Sequence, residues 1–290
     1  MMVRKFLSVI SLVFLLLSCQ KEKQFLLSEK NIKITGTGTT YYTDDDYNRL
    51  VELSDTSKIY SISELKYSMN NIVVIFNKYH DRAGAFPTLY NVVTNVAFNT
   101  LINSPSSYAV QGRAFMNEFA KHYIRNLHSY LLGQPIEPAW LNYYTRVAAN
   151  QNSLLHLTLS GINAHITYDI PFVLYNIQAE DAFYPDFKEY TDFIAGTYPE
   201  ASAELKKQYD IQNADHVFQM FELGQIIDGI AGNGFTTHLV IDVLRSESWQ
   251  RGMDLVHLNR NETQMHTYCF QSFKEREALI QKMDDQHLLY

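Results

Sequence analysis

The chain has 290 residues, 46% of them apolar, with only two cysteines and a formal charge of −7. That apolar share is ample for a hydrophobic core, and one pair of cysteines excludes a disulfide-built scaffold. No cluster of Lys and Arg exceeds a few residues, so the net acidity excludes a nucleic-acid backbone as partner.

The first residues have the pattern of an export signal. Arg4 and Lys5 form a basic start, and Phe6 to Leu17 is almost wholly apolar but short of the roughly 20 residues a membrane span needs. Leu16-Leu17-Ser18-Cys19 resembles the lipobox of bacterial lipoproteins, which implies a removable signal over 1–18 and lipid on Cys19. Gln20, rather than Asp, follows the cysteine, and this favours an outer-membrane address in the bacterial envelope. Loss of Arg4 and Lys5 with the leader takes the charge to −9. With Cys19 lipidated, Cys269 has no disulfide partner and is expected to be buried. Residues 19–45 read as a polar tether with a short strand at Ile32–Ile34, and 46–290 as one domain without repeats or linkers.

The body is expected to be all-α, a bundle of nine or ten helices. Ser63-Glu64 can cap a helix to about Tyr79, with Leu65, Met69, Ile72, Val73 and Phe76 at helical spacing. Pro87 suits the first turn of a helix that continues through Leu89–Ile102. Further helices follow over Tyr108–Leu132, stopped by Gly133 and Pro135, and from Pro138 to about Ala149. A central helix runs from Ser153 towards Ile177, with Pro171 kinking it or ending its first half. Asp186–Ala195, Pro199–Gln208, Ala214–Ile230, Phe235–Gln250 and Gln271–Leu288 complete the series. Period-two alternation is scarce.

The central helix carries the main candidate chemistry. His165 and Asp169 are four residues apart, and both fall within the apolar stripe of Leu155, Leu159, Ile162 and Ile166. An ionisable pair aimed at a core is costly unless it is paired or ligated. It can hold a metal through an imidazole nitrogen and a carboxylate oxygen, or act as an oriented base, or simply lock helices together. A second pair at the same spacing, His238 and Asp242, could join it across a bundle, although Arg245 stands ready to pair with Asp242. Asp81, after the first body helix, and Glu118 with His122, again four apart, are further candidates. His128, His156, His216, His257, His266 and His287 have no compelling sequence partner. No G-x-S-x-G elbow or phosphate loop is present, and Gly229–Gly234 reads as a helix break.

Asp81…Gly84-Ala85-Phe86, Phe119-Ala120…Tyr123, Pro138-Ala139-Trp140, Asp186-Phe187 and Arg245…Ser248-Trp249 form a recognisable set. With the central Gly161-Ile162-Asn163-Ala164-His165-Ile166-Thr167-Tyr168-Asp169-Ile170-Pro171, they resemble a bacterial domain family of unknown function over about residues 75–255. The resemblance implies no activity, but it centres any site on Asn163, His165 and Asp169. More distantly, the order Asp81, His122, His165, Asp169, His238, Asp242 is similar to the ligand order of the zinc-dependent phospholipase C and S1/P1 nuclease group. In that group the mature amino terminus is itself a ligand, and the two histidine–acid pairs lie closer together than here.

The leading expectation is therefore a membrane-tethered, metal-dependent hydrolase of a phosphoester or lipid-like ester. It would use zinc or another divalent metal held by His165 and Asp169 with His238, Asp242, Asp81 or His122, and Asn163 and Glu118 would assist catalysis. The alternative is a non-enzymatic helical lipoprotein, in which His165–Asp169 is structural and a tyrosine-lined groove holds a small-molecule or lipid-like ligand.

Overall fold

Local signals start most of the helices. A computed structural model describes residues 42–103, 109–211, 214, 235–258 and 262–289, all within one compact unit. Residues 19–41 of the expected tether, the expected strand at 32–34 and most of the expected helix over 214–230 lie outside the described residues, while Asp44 and Asp45, expected in the tether, open the first helix. Thr43 caps α1 (Asp44–Ser54) through its side chain, and three aspartates in the first turn suit the helix dipole. The cap of α2 (Ile62–Lys78) is Ser61, not Ser63, because Ser61 and Glu64 form a reciprocal capping box.

A 3-10 turn capped by Asp81 leads into α3 (Ala85–Asn103). Then come α4 (Ala109–Leu131) and α5 (Pro138–Ala149), the latter opened by its proline. The central helix, α6, runs unbroken through Leu154–Asn163, a π-helical turn over Ala164–Asp169, and Ile170–Asn176. Pro171 thus neither ends nor simply kinks it. A proline removes one backbone donor and crowds the carbonyl four residues back, and the widened turn sits just before it.

The remaining helices are α7 (Tyr184–Gly196), α8 (Tyr198–Tyr209), α9 (Phe235–Leu258) and α10 (Glu262–Asp285). Both α9 and α10 extend beyond the expected bounds, since their buried residues are interleaved with polar ones rather than gathered in a clean stripe. Ten long helices and no strand are found among the described residues, so the fold is all-α. None of these helices is long and apolar enough to cross a membrane.

The organising element is α6, which packs against α3, α4, α5, α9 and α10. Two glycines permit the closest approaches. A Cβ on Gly161 would stand 2.8 Å from Phe86 Cδ2 and nearer still to its Cβ and Cγ, and one on Gly252 would stand 2.5 Å from Leu174 Cδ1. The main core gathers Phe86, Phe98, Phe115, Trp140, Tyr168 and Phe273 around the second half of α6. A smaller cluster joins Leu89, Leu155, Leu205 and Ile280. Cys269 is fully buried in the main core, as expected.

Polar groups fasten α10 to the first half of α6. His156 is completely buried, with Nδ1 2.8 Å from Asp284 Oδ2 and Nε2 3.5 Å from Glu277 Oε1. Ser160 and Asn163 donate to Glu277, and Arg146 pairs with it at 3.0 Å. His156 therefore has partners its sequence neighbourhood conceals, and Asn163 serves this clamp.

Candidate metal centre

Three helices deliver the site. His122 and Asn126 are one turn apart on α4, Glu137 stands at the entrance to α5 with Trp140 one turn on, and Asp169 closes the π turn of α6. Glu137 occupies the N-cap position of α5 but makes no capping bond. Its carboxylate turns instead to Asn126, whose amide donates to Oε2 at 3.0 Å, while Asn126 Oδ1 accepts from the Glu137 backbone at 3.1 Å.

His122 Nε2 then lies 2.7 Å from Glu137 Oε2 and 3.6 Å from Asp169 Oδ1. One ligand atom from each of His122, Glu137 and Asp169 falls within 4.8 Å of the others, so the group could hold a metal ion. Zinc bonds of about 2.1 Å in tetrahedral geometry put ligand atoms about 3.4 Å apart. The 3.6 Å pair already fits, and the 2.7 Å hydrogen bond would have to open by about 0.7 Å. His122 and Asp169 are buried, whereas the Glu137 side chain is 28% exposed and forms the solvent side of the group.

Asp169 is held from behind. Trp140 Nε1 donates to both of its oxygens at 3.0 and 3.1 Å, and His165 Nδ1 lies 2.8 Å from Oδ2. His165 itself is enclosed in aromatic rings, stacked on Phe119 at 3.6 Å and edge-on to Tyr90 at 4.3 Å. Through its i, i+4 partner it fixes the carboxylate whose other oxygen faces His122.

Electrostatics set the proton inventory. Burial raises the Asp169 pKa well above the usual carboxylate range, despite the opposing pull of His122. Burial would lower His122, but the charges of Asp169 and Glu137 outweigh it and raise its pKa. Glu137 is also penalised by burial, yet His122 and Asn126 bring its pKa below the ordinary value. For His165, burial and the nearby positive charges lower the pKa well below 6.5, so its imidazole is neutral at pH 7. Glu137 thus favours its ionised form beside a His122 that favours its charged form, while burial pushes Asp169 towards its protonated form; a divalent cation could take the place of the His122 charge and hold Asp169 ionised. The exchange requires His122 to lose the Nε2 proton. Arg125 Nη2 stands 3.4 Å from its Nδ1, so that nitrogen faces a cation rather than the acceptor that usually orients a ligating imidazole.

The structure sorts the sequence candidates by place. His122 and Asp169 meet, and His165 touches Asp169 through the oxygen turned away from His122. Asp81 lies elsewhere, capping its 3-10 turn and accepting from the Tyr42 hydroxyl. Asp242 pairs with Lys188 at 3.2 Å, not with Arg245, which donates to Thr191 at 2.9 Å. Glu118 pairs with Arg125 and Asn176, not with His122. Asn163 binds Glu277 and the Phe273 carbonyl. The side chain of His238 is outside the described residues. Glu137 was absent from the sequence candidates. Its one signal is a glutamate where Ser, Thr, Asp or Asn would cap better. His266, without a sequence partner, meets the Tyr168 hydroxyl beside Phe172 and acts electrostatically on Glu137.

These features define a helical-bundle protein built around a buried histidine–carboxylate group. Residues 62–285 match the family model described as "Family of unknown function (DUF5995)", and the chain belongs to that family. Comparison with curated proteins and with solved structures gives no match.

Proposed function

We propose that the protein is a metal-dependent hydrolase of the bacterial cell envelope, with a divalent ion, zinc by donor type, held by His122, Glu137 and Asp169. The observation that carries this reading is the convergence of their three ligand atoms within 4.8 Å, with Glu137 partly exposed to solvent. Three protein donors leave a fourth tetrahedral position for water or substrate, the arrangement of catalytic rather than structural zinc. When bound, such an ion supplies Lewis acidity and lowers the pKa of water towards about 7. The chain's part is to hold the carboxylates: Asn126 fixes Glu137, while Trp140 and His165 fix Asp169. Similarity of donor types and all-helical setting to the zinc-dependent phospholipase C and S1/P1 nuclease group supports a phosphoester or lipid-like ester as substrate. In this reading residues 1–18 are the signal, Cys19 carries the lipid, 19–45 form the tether, and 46–290 work at the outer membrane.

Metal analysis after removal of residues 1–19 tests the centre. Reconstituted protein should retain stoichiometric zinc, lose it in His122→Ala and Glu137→Gln, and keep it in Asp242→Asn. Zinc-dependent cleavage of aryl phosphates or short acyl esters should follow the same pattern. Folded wild-type protein that retains no metal would refute the proposal. It would favour a ligand-binding lipoprotein in which the aromatic enclosure of His165 makes the His165–Asp169 pair a polar lock. Loss of radiolabelled palmitate in Cys19→Ala tests the anchor.

A further inference from the structure

Arg125 stands at the rim of the metal centre and takes no part in holding it together. It lies one turn beyond His122 on α4, which puts both side chains on one face, and its Nη2 is 3.4 Å from His122 Nδ1. The imidazole thus turns its Nε2 edge to Glu137 and Asp169 and its Nδ1 edge to a guanidinium. His122 is buried, whereas the Arg125 side chain is 43% exposed, so Arg125 reaches from solvent to a ligand of the centre.

The other partner of Arg125 is Glu118, whose Oε1 also accepts from Asn176 Nδ2 at 3.1 Å. Glu118 therefore keeps a donor when Arg125 turns away. Among the described residues Arg125 bonds through Nη2 alone, which leaves Nε and Nη1 of its fork without a protein acceptor. The contact with Nδ1 is also incompatible with an occupied centre. A neutral imidazole that ligates through Nε2 carries its proton on Nδ1, and two donors would then face each other.

Charge gives the released guanidinium a use. A divalent ion bound by the Glu137 and Asp169 carboxylates keeps no net charge with which to attract an anion, and the chain as a whole carries −7. Arg125 is the cation in contact with the centre.

We propose, on the basis of the hydrolase reading above, that Arg125 sets the substrate class by binding a charged phosphoryl oxygen, so that the centre acts on phosphoesters rather than on neutral acyl esters. A phosphoester with one oxygen on the metal still presents a charged oxygen to the guanidinium, and a carboxylic ester has none to offer. Until substrate arrives, Glu118 holds the guanidinium in the anion's stead.

Calorimetric titration of inorganic phosphate into the full-length, zinc-loaded protein in detergent tests this, with free zinc removed and zinc content measured on every sample. Wild type should bind phosphate at one site. Arg125→Gln should hold zinc as before and bind phosphate about tenfold more weakly or worse, with Arg125→Lys between the two. Glu118→Gln removes the competing carboxylate and should bind phosphate several-fold more tightly, which a merely structural Glu118–Arg125 pair would not produce. Dimethyl phosphate as a second probe separates the sources: binding that depends on Arg125 assigns diesters as well as monoesters. Zinc-loaded wild type that binds no phosphate, Arg125→Gln that binds it as wild type does, or Glu118→Gln that binds it more weakly overturns the proposal and leaves the metal centre standing. Wild type that retains no zinc overturns both.

Discussion

Replacing Gly161 by alanine probes the closest contact between α6 and α3. The new methyl would sit 2.8 Å from Phe86 Cδ2, well inside van der Waals contact, and closer to two further atoms of that side chain. Phe86 has no room to retreat. It is 1% exposed and ringed by Tyr90, Tyr123 and Trp140, each with centroids near 5.5 Å. Alanine improves helix propensity by about 1 kcal/mol, whereas overpacking a core costs about 1–3 kcal/mol and more where backbones must part. With three atoms in conflict the steric cost wins, and a net loss of about 2 kcal/mol is expected. For a body of this size that lowers the melting midpoint by about 4–8 °C.

Urea unfolding followed by far-UV circular dichroism measures the effect, with Gly196→Ala as control. Nothing lies within 4 Å of a Cβ at Gly196, so that variant should match or slightly exceed wild type. Phe86→Leu added to Gly161→Ala should cost less than the two single changes summed, because the smaller side chain makes room. Gly161→Ala unfolding at the wild-type midpoint would refute this close packing of α6 on α3.

Trp140→Phe removes the one N–H that serves both oxygens of Asp169, leaving a buried carboxyl short of a donor; a loss of about 1–3 kcal/mol is expected in urea unfolding, and an unchanged midpoint would contradict it. Glu277 predicts a pH dependence. Burial raises its pKa, but His156, Arg146, Ser160 and Asn163 outweigh this and hold it below the ordinary value. A depressed folded pKa means that its stabilisation is complete above the unfolded value, about 4.3, and is lost as pH falls through the folded one. Stability measured from pH 5 downward should therefore drop, and Glu277→Gln should flatten that slope while lowering stability at pH 7. An identical acid profile in the variant would show that the clamp contributes nothing.

Much of the architecture was legible before any tertiary contact was known. Apolar residues at helical spacing located α2 to α8 closely, because each of those helices buries a face. Pro138 marked the start of α5 to the residue. Where the reading slipped, a cap was misjudged, as with Ser61, or polar residues interrupted the stripe. The start of α10, residues 262–270, was missed in this way. It carries Met265 and Cys269 into the core among polar neighbours.

The site was half legible. His165 and Asp169 are four residues apart on one helix, and a fixed spacing on a regular helix carries its geometry with it. His122 was found through Glu118 by the same rule, although its real carboxylate partners are Glu137 and Asp169. Nothing in the spacing of residues 122 and 137 brings them together. A chain reversal between α4 and α5, secured by Asn126, does that. Likewise, Asp242 and Arg245 are three residues apart and face the right way, yet each bonds to α7 instead.

By itself, the sequence determined α2 to α8 with their approximate ends and the i, i+4 pair at the centre of α6, because these depend on interactions within a few residues along one helix; α1 and the full extents of α9 and α10 were not determined in this way. Which carboxylates face His122, which residues clamp α10, and that Arg245 is buried against Thr191 and Phe187 were decided only by tertiary structure. Those outcomes follow from how the helices share a core. Burial and the choice among competing polar partners are properties of that packing, not of spacing along the chain.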